Sequence, residues 1–219
     1  MAFIGRTPTP VPLTSSDIPD SIITDAKIVG MTSSKLTGAL PAISGASLTG
    51  ISSSLVKTVG SSSSSSASAV TLTNCFTSSY DRYLIFITAV NATSGQDMRV
   101  RYIASSSGEL TSNYRYSMAM FHSDNSTSFI EDQSTNGILL FRNGSGSPSN
   151  GTVLEIQGVN DTNSQKMCSC ISQHHHSSYF SSCLSGGGNT NTEAITGLKF
   201  FFESGDLESH TITCFGVAT

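Results

Sequence analysis

From Ala67 onward the chain alternates between short apolar or period-two segments and clusters of Ser, Asn, Gly and Thr, a rhythm that leaves no room for a helix of ordinary length. Val70-Thr71-Leu72-Thr73 alternates, and Tyr83 to Val90 is nearly all apolar, as a central sandwich strand is. Met98 to Tyr102 alternates with Arg99 and Arg101 on an outer face. Tyr114 to Phe121, Gly137 to Phe141, Thr152 to Val159, Lys166 to Ser172, Leu198 to Phe202 and Thr211 to Val217 complete eight or nine expected strands. Gly205-Asp206 between the last two predicts a closing hairpin. Charged residues are only 12% of the chain, against roughly 25% in typical soluble domains, and Ser and Thr fill the deficit. That composition favours strands and turns over solvated helices. The expected fold is all-β: an antiparallel, jelly-roll-like β-sandwich over residues 67–219.

The first sixty residues have a different texture, with no aromatic residue after Phe3. Their apolar positions are small aliphatics set among polar steps: Ile18, Ile22, Ile28, Leu36, Leu40, Ile43, Leu48 and Ile51. Gly and Pro interrupt every helical register, and no heptad survives. Leu36-Thr37-Gly38 recurs as Leu48-Thr49-Gly50. A single arm of this kind cannot bury its own Ile and Leu, so it needs copies of itself or another protein surface. The serines at 61–66 read as a flexible joint. The expected organisation is thus an extended, low-helix arm at 1–60, a linker at 61–66 and the sandwich at 67–219.

Charge narrows the function. A net charge of -4 with scattered Lys and Arg gives no basic footprint, so no nucleic-acid partner is expected. No apolar run approaches the roughly 20 residues of a membrane helix, so no membrane insertion is expected either. Pro8, Pro10 and Pro12 break any apolar core of a secretory leader, and synthesis in a cytoplasm is expected. The five cysteines lack zinc-type CxxC pairs. Cys168 and Cys170, two apart on a strand, share one face and are read as reduced structural thiols.

His174-His175-His176 is the segment with most metal-ligating side chains. On a strand His174 and His176 share a face, and copies gathered around an axis would bring such pairs together for a metal. The bland reading is a polar strand end. No cofactor is expected. Glu131-Asp132 is the one adjacent carboxylate pair, in a stretch that reads as a loop. No GxSxG, HExxH or P-loop is present, and the chain is read as a non-enzyme. Turns rich in Ser, Asn, Gly and Tyr suit adaptable recognition, with Tyr114, Tyr116 and Tyr179 as candidates to stack on a sugar ring.

The stretch SSDIPDSIITDAKIVGMTSSKLTGALPAISGASLTGI resembles the repeated stalk sequences of tail-fibre and related structural proteins of marine and freshwater tailed phages. The ending ITGLKFFFESGDLESHTITCFGVAT resembles the closing pattern of their C-terminal domains, with Ser209-His210 and Cys214-Phe215 as departures. The resemblance implies a homotrimeric virion fibre. Phe3, Ile4, Arg6, Pro8, Pro10, Pro12 and Leu13 would anchor it on another virion protein, a tail adaptor or the capsid. Residues 14–55, carrying the Ile and Leu positions above, would form the intertwined stalk. The sandwich would project outward for attachment to host cell-surface polysaccharide. A head fibre or capsid decoration protein follows the same plan, and a carbohydrate-active enzyme is a third alternative.

Overall fold

The computed structural model describes residues 55–63, 65–92, 96–144, 150–175 and 179–217. The expected anchor (Phe3 to Leu13) and stalk (Ile18 to Ile51) lie outside the described residues, as does His176. The described chain is all-β, with thirteen strands in two antiparallel sheets.

The larger sheet contains β1 (Leu55–Ser63), β3 (Arg82–Ala92), β6 (Tyr114–His122), β7 (Thr127–Thr135), β9 (Asn150–Gln157), β10 (Lys166–His175), β11 (Phe180–Asn189) and β13 (Leu207–Val217). Their spatial order is β1-β13-β3-β9-β10-β11-β6-β7. The smaller sheet runs β2 (Ala69–Leu72), β12 (Ile195–Phe202), β4 (Gln96–Ala104) and β5 (Gly108–Glu109), and β8 (Ile138–Gly144) also pairs with β4. Inward positions of both sheets meet in one core that includes Tyr83, Ile85, Tyr102, Leu154, Phe200 and Ile212. Left-handed turn residues Asn74, Asn113, Asn125 and Gly205 reverse the chain between strands.

β8 explains the character of this core. Ile138, Leu139, Leu140 and Phe141 are all buried, where a strand with one wet face would bury every second residue. The strand is the fifth of the smaller sheet, hydrogen-bonded to β4, and packs closely on β6, β10 and β11 of the larger one. Its pairing is irregular, with register shifts on either side of Met98. Two of its carbonyls take their hydrogen bonds from the larger sheet instead. Ser172 Oγ donates to the Leu140 carbonyl at 2.7 Å, and Ser185 Oγ to the Leu139 carbonyl at 3.3 Å. Thr152 Oγ1 in turn donates to Ser172 Oγ at 2.9 Å. With β8 packed this closely, the inward side chains of β10 and β11 are small or polar: Cys168, Cys170, Ser172, Cys183 and Ser185.

Three expectations need correction. The sandwich starts earlier than residue 67, because Leu55–Ser63 pairs with β13 and the first serines of the run continue that strand. Serine is adequate in an edge strand whose hydrogen bonds are made by backbone. The last two strands are not a hairpin. β12 belongs to the smaller sheet and β13 to the larger, so the turn at Gly205 is an arch between sheets. Arg99 is buried and not outward. It is fixed by Glu203 at 2.5 Å and by the Gly137 carbonyl at 3.1 Å.

Two predictions follow from these contacts. Ser172→Ala leaves the buried Leu140 carbonyl with only the weak Cys170 thiol at 3.9 Å, and an undersatisfied buried group costs about 1–3 kcal/mol; chemical denaturation should show a loss of that order, and a loss below about 0.5 kcal/mol would contradict the fastening role. Glu193 accepts bonds from the Ser107 hydroxyl and from the Ser107 and Ser106 amides, which hold its carboxyl down at about 2. A carboxylate lowered in the folded state stabilises the fold above its ordinary range and loses that contribution as pH falls towards 2. Glu193→Gln should therefore flatten the pH dependence of unfolding between about 4.5 and 2, read from thermal melts across that interval.

Candidate functional site

The outer face of the larger sheet carries its apolar residues in register. Phe86 on β3 lies opposite Val153 on β9, and Val153 opposite Ile171 on β10. Ile171 is opposite Leu184 on β11, Leu184 opposite Ala119 on β6, and Ala119 opposite Phe129 on β7. One apolar row thus crosses six strands. Phe129 is 78% exposed, Ile171 58% and Leu184 52%. Phe215 on β13 extends the row, its ring meeting Phe86 edge-on at 5.6 Å between centroids. Met167 and Phe121, both exposed, lie beside it on β10 and β6.

These residues face outward because the alternation of β10 and β11 runs opposite to the usual sense. The small and polar members of each strand point in, beneath β8, and Met167, Ile171 and Leu184 are left on the outer side. An antiparallel sheet with one solvated face ordinarily carries polar residues there.

Beside the row, a trough follows β11 over Gly186 and Gly188. Its two compartments, of about 730 and 540 Å3, share Ser117, Glu131 and Gly186. Phe129 and Ile171 wall the first, while Arg115, Gln133 and Met167 line the second. The triglycine has a structural cause. A Cβ on Gly187 would sit 2.6 Å from the Arg115 carbonyl oxygen, which belongs to backbone and cannot move aside. Chemically the trough offers hydroxyls, amides and the Glu131 carboxylate beside a broad hydrocarbon surface.

The candidates read from sequence are placed otherwise. Tyr114 is fully buried, its hydroxyl accepting from the Tyr102 amide at 2.7 Å, and burial pushes its ionisation above the usual tyrosine range. Tyr116 is buried beneath the Arg99 guanidinium, 5.4 Å from the ring centroid. Neither ring can stack on a sugar: both are inward members of β6. Tyr179 is partly exposed, its ring edge-on to His122 at 4.8 Å. His174 is also inward, stacked on Phe141 at 5.6 Å and 3.7 Å from the Cys183 sulfur. It is a core residue and not a surface ligand. Among the described residues no group of three or more His, Cys, Asp or Glu is placed to hold a metal ion. Glu131 and Asp132 sit on β7, not on a loop, and successive strand residues point to opposite faces. The five thiols are free and buried, and burial pushes those of Cys168 and Cys183 up to about 12.

The apolar face was readable in one place. In Met167-Cys168-Ser169-Cys170-Ile171 both parities carry apolar side chains, a sign that neither face is meant for water. Its other half lies on β7 and β11, whose Ser, Thr and Gly content resembles loop sequence. Comparison of the chain with protein-family models, with curated proteins and with solved structures finds no match.

Proposed function

We propose that this chain is a structural attachment protein of a tailed-phage particle. In this reading it is an oligomeric fibre whose N-terminal arm is anchored on another virion protein and whose sandwich is presented to host envelope polysaccharide. The observation that carries the reading is the uncovered apolar row across six strands of the larger sheet. A contiguous apolar surface of this extent marks a surface made for association. The phage-stalk resemblance of residues 15–51 supplies the setting.

Attachment in such a protein works through several weak contacts held together, whose combined avidity exceeds one contact by about 10²–10⁴. The end of the larger sheet around Tyr179 suits a sugar. Tyr179 lies beside His122, the two rings edge-on at 4.8 Å between centroids. Rings with a polar edge next to hydroxyl-bearing loops provide both stacking and hydrogen bonding.

Purified full-length protein, fluorescently labelled at its N-terminus, should bind bacterial cells or their extracted envelope polysaccharide, and Tyr179→Ala should weaken that binding at least about fivefold, the loss of roughly 1 kcal/mol of aromatic contact. Binding to empty capsids with indifference to cells would move the protein to the head as a fibre or decoration protein. Binding to neither would overturn the proposal.

A further inference from the structure

We infer that the outer face of the larger sheet, centred on Ile171 and Leu184, is the contact between copies of this chain, and that each copy's Phe129 seats in the glycine-floored trough of its neighbour. This rests on the oligomeric reading above and names the partner that covers the face.

Extent supports it. Strands spaced about 4.8 Å apart place β3 and β7 about 24 Å from one another, and the eight steps from Met167 to His175 cover about 27 Å. The face is then about 650 Å2 in projection, close to the roughly 800 Å2 that each partner contributes to a specific interface. The distribution of charge agrees. The outward positions of β10 are Met167, Ser169, Ile171, Gln173 and His175, with no carboxylate, lysine or arginine among them. On β11 they are Phe180, Ser182, Leu184, Gly186 and Gly188, again uncharged. Arg115 stands towards one end, while Glu131 and Glu155 flank the row through Ser169 and Gly186, Glu155 being held by Arg82 of the same chain at 2.7 Å. The central row from Phe86 to Phe129 carries no charge, and an apolar centre with polar groups around it is the anatomy of a protein interface.

Shape points to a second copy in particular. The face carries both a protrusion, Phe129 on the edge strand, and a recess over Gly186 walled by Ile171 and Leu184. The apolar row extends to both sides of β11, so one face can meet an identical face in either half. Arms that hold several sandwiches together raise their effective concentration to about the millimolar range, where a weak self-contact is populated.

The test uses the full chain. Every described native thiol is buried, so Ser169→Cys introduces a single accessible cysteine at the centre of the face. Light scattering should give a multiple of the 22.9 kDa chain mass. Maleimide should modify Ser169→Cys at least tenfold more slowly than it modifies the same cysteine in a protein also carrying Ile171→Glu and Leu184→Glu. Ser182→Arg, which adds charge at an exposed position and removes no packed side chain, provides a second comparison should the double variant fail to fold. Equal modification rates, or the mass of a single chain, would overturn the inference. Protection with single-chain mass would do the same, since the chain's own arm or another segment would then cover the face. Loss of cell, polysaccharide and particle binding with protection intact would sink the proposed function and leave the interface standing.

Discussion

The fold depends on how the β8 backbone is satisfied. A strand whose residues 138–141 are all buried carries its carbonyls in a dry interior, and each unsatisfied one costs about 1–3 kcal/mol against a total stability of about 5–15 kcal/mol. Ser172 and Ser185 supply the missing donors from the larger sheet, and Thr152 completes the chain of hydroxyls. These serines fasten β8 to β10 and β11. Around them the inward side chains of β10 and β11 are small, as the close packing of β8 on those strands requires. Lys166 makes a comparable fastening at the end of the same sheet, its buried ammonium donating to the carbonyls of Asp161, Ser164 and Thr192.

The inverted polarity of β10 and β11 goes with the close packing of β8 against them. With small side chains inside, the bulky ones on those strands sit outside. The register of the sheet then lines Ile171 and Leu184 up with Val153 and Phe86 on one flank and with Ala119 and Phe129 on the other. Burying such a row in a partner gains about 25 cal/mol per Å2 of apolar surface. The outer apolar face is therefore tied to the internal packing: the strands that hold β8 are the strands that present the face.

Much of the architecture was legible in the sequence. Alternation placed β2, β4 and β10, and the i, i+2 spacing of Cys168 and Cys170 correctly put both on one face. β7 and β11 were not legible, because Ser, Thr and Gly carry no period-two contrast and their strands are defined by backbone pairing with β6 and β10. The arch at Gly205 resembles a hairpin turn locally, and only long-range pairing separates the two. Tyr114 and Tyr116 were misplaced for a different reason. Tyr suits both a recognition loop and a core with a hydrogen-bond acceptor or donor at hand, and parity with Met118 and Met120 on β6 was the cue for the core. The metal reading of His174 failed on the same parity, since the inward side of β10 is packed on Phe141.

The most direct test of the central claim, that the bulky side of β10 and β11 is a contact between identical chains, is a dipolar distance between spin labels placed at Ser182→Cys in the full chain. Facing sheets pack about 10 Å apart, so labels at the middle of the face should give a distribution centred below about 30 Å once their linkers are included. An absence of dipolar coupling, or distances beyond about 50 Å, would mean that these faces do not meet and would contradict the account.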